Sequence, residues 1–535
     1  MIRLGVDFGT ANTVVCYWNE TIDAAEVLRI PGLDRERAGA TGLSQFVIPS
    51  VSAYNKLREE PPRFGAQVPR GADSDREWQV FRYTKSVAMN RTVNNGVPIL
   101  GRLIHPKDAA AEFLKTVINN AQLTVLDENT EFVLTAPIES FDQYRDWLAD
   151  QVIDPSISSV RVIDEATAAA AGYAHKLGVD EKILVFDFGA GTLDITIASV
   201  DRGEPGSKRN GVRVISKRGA ILGGKDIDSY VMQWCHNKWR IGNGDPQVIK
   251  DLNAQLIESC ELAKVELSKE PSTVIRAVHP KTGIELEAEL SRSEFEEILK
   301  SKEVIRKTNM TLQDAIYEAR SRGVEPEDIG AVFMVGGTSL IPRVVDIVRD
   351  CFPAERVMYD SPLEAVAKGA ASIAGGYEAT DYIQHEYAIR HVDSSTGMYS
   401  YRTIVNQGTR FPTTEPVFKQ MVQATHDGQI RLGIQIFEVA SKAALDSSSG
   451  VELQMDADGG LRLVQNSPQK QEERRRSHLN ENSPTFLEAH PPAKARENRF
   501  RVDFQIDGLR RLTLTAYDIV NNKYVLTNQP VVKLA

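Results

Sequence analysis

The feature that most restricts the fold is a repeat. The segment Ile2–Thr10, reading apolar strand then Asp7-Phe8-Gly9-Thr10, resembles Ile183–Ala190, which ends in Asp187-Phe188-Gly189-Ala190. Each copy continues into a second β-rich run, Thr13–Trp18 in the first and Leu193–Val200 in the second. Self-similarity of this kind predicts a duplicated α/β core, two related halves with a cleft between them. The competing reading is a chance recurrence of three letters.

A tight glycine turn between strands lets backbone N–H groups approach a phosphate with no side chain in the way. Two such turns facing across a cleft could hold the β- and γ-phosphates of a nucleotide. Asp7 and Asp187 end buried strands, where an unpaired carboxylate is costly and a cation or its waters would relieve the cost; local turn bonds are the alternative for either one. Glu165 lies between the Val160–Ile163 strand and an alanine-rich helix, Glu165–Tyr173. A carboxylate there could order a water or take its proton, or it could simply favour a helix N-terminus.

Helices are predicted where such a core needs them. Ser140 to Gln143 reads as a capping box opening a helix to about Val152. Leu252, Leu256, Cys260, Ala263 and Leu267 recur at helical spacing over 251–268. A helix follows Pro342, and Ser361-Pro-Leu-Glu364 opens another through about Ile373. Beyond Gly375-Gly376 alternating strands take over: Tyr399–Val405, Gln429–Phe437, Arg499–Ile506 and Leu512–Tyr517. Ser467–Asn498, with four prolines and the charged run Glu472–Arg476, reads as a long mobile loop.

Composition narrows the function. A chain of 535 residues suggests two or more domains. A net charge of -10 offers no general attraction to nucleic acid or an anionic membrane. The four cysteines are scattered with no CxxC, which argues against a metal knuckle or a disulfide framework. No leader and no membrane-spanning apolar run is apparent, so a cytoplasmic protein is expected.

Six motifs then occur in order over 1–375: Asp7-Phe-Gly-Thr10, Asp164-Glu-Ala-Thr-Ala-Ala-Ala-Ala171, Phe186-Asp-Phe-Gly-Ala-Gly-Thr-Leu-Asp194, Gly223-Gly-Lys-Asp-Ile-Asp228, Cys260-Glu-Leu-Ala-Lys264 and Val335-Gly-Gly-Thr338. Together they resemble the seventy-kilodalton heat-shock chaperone (DnaK-like) family of the actin and sugar-kinase superfamily. The resemblance implies an α/β duplicated actin-like ATPase domain with two lobes around a nucleotide cleft over 1–376. A linker at 377–383 and an all-β sandwich domain at 384–535 without a helical lid follow.

The resemblance also implies roles. Lys85, Glu165, Asp187 and Thr192 would carry a slow, Mg²⁺-dependent ATP hydrolysis. Asp7, Asp187 and Asp194 would serve Mg²⁺ and K⁺. Gly9, Thr10, Ala11 and Asn12 would form the first phosphate loop, and Gly189, Ala190 and Gly191 the second. Gly223, Gly224, Glu261, Lys264, Ser268, Gly336, Gly337 and Thr338 would border the rest of ATP or ADP. Pro137 and Arg145 would relay nucleotide state to the second domain.

Some positions depart from the family pattern. Ala190 replaces a loop glycine and asks for a negative φ. The two arginines with which the family sandwiches adenine fall at Val265 and Leu340, so weaker or less base-selective binding is expected. The apolar linker is replaced by Tyr377-Glu-Ala-Thr-Asp-Tyr-Ile383. Met398 and Tyr399 fall either near a peptide groove or in the sandwich core. The expected partners are unfolded or extended polypeptide, with a J-domain co-chaperone and a nucleotide exchange factor implied by resemblance alone. The alternative is a nucleotide-gated adaptor whose β domain binds one specific partner. A sugar kinase has no supporting motif.

Overall fold

The computed structural model describes residues 2–38, 44–89, 96–125, 130–138, 140, 142–152, 157–174, 177–202, 210–241, 245–359, 361–380, 382–383, 385–392, 399–439, 451–455, 461–465, 476–480, 485–507 and 510–534. They form two compact units: 1–138, 147–380 and 446–467 in one, and 139–146, 381–445 and 468–535 in the other.

The first unit holds two sheets built to one plan. In the first, Ile2–Phe8 runs parallel to Thr130–Ala136, which runs parallel to Ile157–Asp164. On its other side Ile2–Phe8 forms an antiparallel hairpin with Asn12–Asn19. In the second, Lys182–Phe188 runs parallel to Ile329–Val335, which is followed by Val357–Met358, and forms its own hairpin with Leu193–Arg202. Asn210–Ala220 and then Glu378–Thr380 extend that sheet. The repeat in the sequence is therefore a repeat of topology. Parallel neighbours on one side demand crossover helices, so these strands are buried and read as continuous apolar runs. Leu184, Phe186, Phe188, Leu193 and Ile195 are fully buried. Each such side chain contributes ~1.5–3 kcal/mol relative to exposure.

Two small-residue helices, Glu165–Ala174 and Ala365–Ala374, cross closely beside both sheets. A Cβ on Gly369 would strike the Ala168 backbone, so only glycine allows the approach. The helix expected over 251–268 runs from Pro246 to Leu267, with Asp245 as its cap and proline in the first turn. That expected from Ser140 spans Asp142–Ala149. The helix expected from Pro362 begins only at Ala365, because Ser361 takes φ 51 and Pro362–Glu364 form a turn.

The second unit is all β among its described residues apart from the segment around Asp142. One sheet orders Tyr399–Val405, Glu386–Val392, Ile436–Val439 and Arg476–His478; another orders Phe418–Gln423, Asn498–Ile506, Arg511–Asp518 and Lys523–Lys533. Gln429–Ile434 pairs separately with Thr485–Ala493. The strand Thr485–Ala493 falls inside the stretch expected as a mobile loop over 467–498, of which 467–475 and 481–484 lie outside the described residues. Leu487 and Ala489 alternate into the core while Phe486 and Glu488 face out, a period of two hidden by the neighbouring prolines. Glu472 to Arg475 and Met398 lie outside the described residues. No described residue after 380 is helical. Arg499 and Asp518, each 1% exposed, form a buried ion pair at 2.9 Å. The hairpin Val451–Met455 with Leu461–Gln465 groups with the first unit, against the helices Gly224–Lys238 and Pro246–Leu267.

No described helix is long and apolar enough to cross a membrane. The four cysteines are free.

Candidate nucleotide site

Each hairpin ends in a glycine turn at the edge of one cleft. In the first, Asp7 pairs with Val14 and Phe8 with Thr13, leaving Gly9, Thr10 and Ala11 as the turn. Ser50 braces it: its hydroxyl donates to the Gly9 carbonyl at 2.7 Å and its N–H to the Ala11 carbonyl at 2.8 Å. In the second, Asp187 pairs with Asp194 and Phe188 with Leu193. The Gly189 carbonyl accepts from Thr338 Oγ1 at 2.8 Å and from the Gly224 N–H at 3.1 Å. Ala190 is accommodated without a positive φ.

The two turns face one another. A Cβ added to Gly191 would strike Thr10 Oγ1, so the second turn reaches the first only because residue 191 has no side chain. Gly9, Thr10, Ala11 and Asn12 from one side, and Gly189, Ala190, Gly191 and Thr192 from the other, line a cleft of about 250 Å³.

Charged groups crowd its floor. Lys85, 3% exposed, donates to Glu165 Oε1. Asp7 accepts from Thr135 Oγ1 at 3.0 Å. Burial pushes the Glu165 carboxyl up to about 8, although Lys85 pulls it down. Burial, then repulsion from Glu165, Asp194 and Asp7, pushes Asp187 well above the carboxylate range, and burial raises Asp7 as well. Three aspartates and a glutamate thus share one lysine, a balance that favours added cations. Asp194 sits behind this floor rather than on it. It is absent from the cleft lining and its Oδ1 accepts the Ile138 N–H at 3.1 Å. Burial raises its carboxyl to about 6, against hydrogen bonds from the Thr192 side chain and the Ile138 N–H. No three carboxylates, histidines or cysteines among the described residues converge as an all-protein metal cage. Asp7 and Asp187 both line the cleft, so a cation there would meet few protein carboxylates and would need phosphate oxygens or water as well.

The cleft continues along the helix Pro246–Leu267. Glu261, Lys264 and Ser268 line it from successive turns of one helix, with Val265 beside them and Gly336, Gly337, Thr338, Leu340 and Ile341 opposite. Lys264 is tied to Asp228 at 2.7 Å and to the Gly224 carbonyl at 3.0 Å. Burial raises Asp228 to about 7 against the pull of Lys264. Gly223 and Gly224 stand behind the second turn rather than in the lining.

Sequence reasoning missed several lining residues here. Arg37 lies 3.7 Å from Glu261, and Gln45, Tyr83 and Asp228 also line the cleft. Asp228 was legible at the end of a quoted motif, and Tyr83 two residues before Lys85. Tyr83 has φ 56, uncommon for a bulky residue and typical of functional positions. Arg37 and Gln45 carry no pattern.

The relay residues lie elsewhere. Pro137 is buried and precedes Ile138, whose N–H holds Asp194. Arg145, in the second unit, is 6% exposed, and its three guanidinium nitrogens are buried with no hydrogen-bond partner among the described residues.

Two sheets of one topology, each sending a glycine turn into a shared cleft, define a two-lobed actin-like nucleotide-binding fold with a β-sheet domain after it. The family model described as Hsp70 protein matches residues 71–454, and the chain belongs to the Hsp70 family, whose members are typically ATPases. It is 27% identical over 458 residues to "Chaperone protein DnaK" of Thermosipho melanesiensis, covering 83% of this chain and 71% of that protein. The same identity holds over 449 residues with that of Thermotoga petrophila, covering 81% and 70%. With that of Thermus thermophilus it holds over 397 residues, covering 70% and 60%.

Proposed function

We propose that this chain binds Mg²⁺-ATP in the cleft, hydrolyses it slowly, and uses the nucleotide state to control binding of unfolded polypeptide by its C-terminal β domain. The observation that carries the reading is the abutment of Gly191 on Thr10, with Lys85, Glu165 and Asp187 beneath. Backbone N–H groups of both turns would hold the β- and γ-phosphates. Glu165 would orient the attacking water and take its proton as the water oxygen bonds to the γ-phosphorus and the bond to the β-phosphate oxygen breaks. Lys85 would offset charge on the γ-phosphate and Thr192 would donate to it. Asp7, Asp187 and Asp194 would hold Mg²⁺, directly or through water, with K⁺ as a second cation. Mg²⁺ supplies neutralisation of phosphate charge. Glu261, Lys264 and Ser268 would contact the nucleoside, and Val265 and Leu340 would give it apolar walls.

Asp194, Ile138 and Pro137 form a continuous path from beneath the second turn, which supports Pro137 as a relay. A buried guanidinium without a partner is costly. Arg145 in that condition suits a residue that finds its counter-charge in another state. The likeness to DnaK supports a cytoplasmic location, a J-domain partner and an exchange factor as parts of this proposal. The test is binding of unrelated extended apolar peptides to the full chain with ATP or ADP. Micromolar binding to several peptides that weakens with ATP is expected. Binding of one folded partner and no peptide would mark a nucleotide-gated adaptor instead.

A further inference from the structure

Lys217 is among the largest fully buried side chains, 1% exposed, in the Asn210–Ala220 strand of the second sheet. A buried ammonium persists only when paired. Its partner is Asp164, the last residue of the Ile157–Asp164 strand at the edge of the first sheet, 2% exposed, with Nζ and Oδ2 2.5 Å apart. The other oxygen of Asp164 accepts the Thr167 N–H at 2.7 Å and so caps the first turn of the helix Glu165–Ala174. One carboxylate is thus bonded on one side to the second lobe and on the other to the helix whose first residue is Glu165. The alanines of that helix share one buried cluster with Ile183, Val185, Ala198, Val200 and Val212 of the second sheet, and also with Val133 of the first sheet and the Ala365–Ala374 helix, so packing alone does not assign the helix to either lobe. Lys85 comes from a different place, the helix Thr84–Met89 that follows a small antiparallel sheet ending in Trp78–Arg82.

We propose that Lys217, acting through Asp164, is a positioning residue that makes Glu165 part of the second lobe's rigid body. Glu165 then keeps its place beside the second glycine turn when the lobes move against one another, and its contact with Lys85 is what changes. The pair also keeps Asp164 from adding an uncompensated charge next to Asp194. This role rests on the proposed ATP hydrolysis, but the anchoring itself has a readout that does not need it.

The experiment compares the full chain with Lys217→Met and with Asp164→Asn/Lys217→Met, which removes both charges of the pair and in which the cap on Thr167 can persist. Three quantities are measured: amide hydrogen exchange over residues 165–170, ADP affinity by calorimetry, and single-turnover ATP hydrolysis. Exchange in the first turn is expected to accelerate at least tenfold in both variants, with the Ala365–Ala374 helix unchanged. Hydrolysis should fall roughly ten- to hundredfold, the scale set by an ångström of misplacement, while ADP affinity stays within about threefold. The double variant should recover most of the melting temperature lost in the single one without recovering the rate. Unchanged exchange at 165–170 in both variants, or a double variant with the full rate, overturns the anchor. An unsubstituted chain that fails to hydrolyse ATP overturns the ATPase reading instead, and the exchange result then still decides the anchor.

Discussion

Lys85 and Glu165, 80 residues apart in the chain, meet as a buried ion pair on the floor of the cleft. Neither side chain is more than 9% exposed. A nucleotide's γ-phosphate would compete with Glu165 for the lysine, which frees the carboxylate to engage water.

From that competition, Glu165→Gln should retain nucleotide binding and lose the chemical step. Single-turnover hydrolysis is expected to fall by roughly 10²–10⁴-fold. Lys85→Met should cost about 10²–10³-fold, as for removal of one electrostatic contact to the transition state. Full activity in either variant would remove that residue from the mechanism.

Val265 and Leu340 also line the cleft, where in the proposed reading they would give the base apolar rather than charged walls. Val265→Arg should tighten ATP by roughly 2- to 30-fold, the equivalent of ~0.5–2 kcal/mol of cation–π contact. It should tighten GTP less. Calorimetric titration with both nucleotides checks this. Tight, strongly adenine-selective binding by the unsubstituted chain would contradict it.

In the β domain, Asp518 supports Arg499 and accepts the N–H groups of Val520 and Asn521, each at 3.0 Å. Burial alone would raise its carboxyl, but the Asn521 backbone and side chain and then Arg499 outweigh it, so the group sits below its ordinary value of 3.8. A depressed folded value stabilises at pH above the unfolded value and is lost as pH falls through the folded one. The second unit should therefore lose stability below about pH 4. Asp518→Ala should cost ~3–5 kcal/mol at neutral pH by leaving Arg499 buried and unpaired, and should flatten that acid dependence. Urea unfolding of the full chain between pH 3 and 7 measures both.

How much of this was legible in the sequence depended on whether a residue's role is local. The glycine turns and their aspartates were readable because the strand, turn and strand are contiguous, and the duplication repeats them. Val265 and Leu340 were readable because neighbouring motif residues fixed their register. The strand Thr485–Ala493 was hidden because Pro491 and Pro492 lie within it, and prolines argue for loop unless an edge position tolerates them. Its partner is a single strand, Gln429–Ile434, a pairing that sequence spacing cannot signal. Arg37, Gln45 and Lys217 owe their places to contacts between distant segments. Asp194 matched a motif, yet its position behind the floor follows from its bond to Ile138, which no local pattern encodes.

The central claim is that two backbone turns grip one nucleotide, and Gly191 is where it can be tested most directly. Calorimetry with Mg²⁺-ADP should show one nucleotide bound per chain for the unsubstituted protein. Gly191→Val, whose side chain would collide with Thr10, should lose at least about a hundredfold in affinity, an effect of ~2.7 kcal/mol, while circular dichroism still reports a folded chain. An unsubstituted protein that ignores Mg²⁺-ADP, or a folded Gly191→Val variant that binds it equally well, would contradict the account.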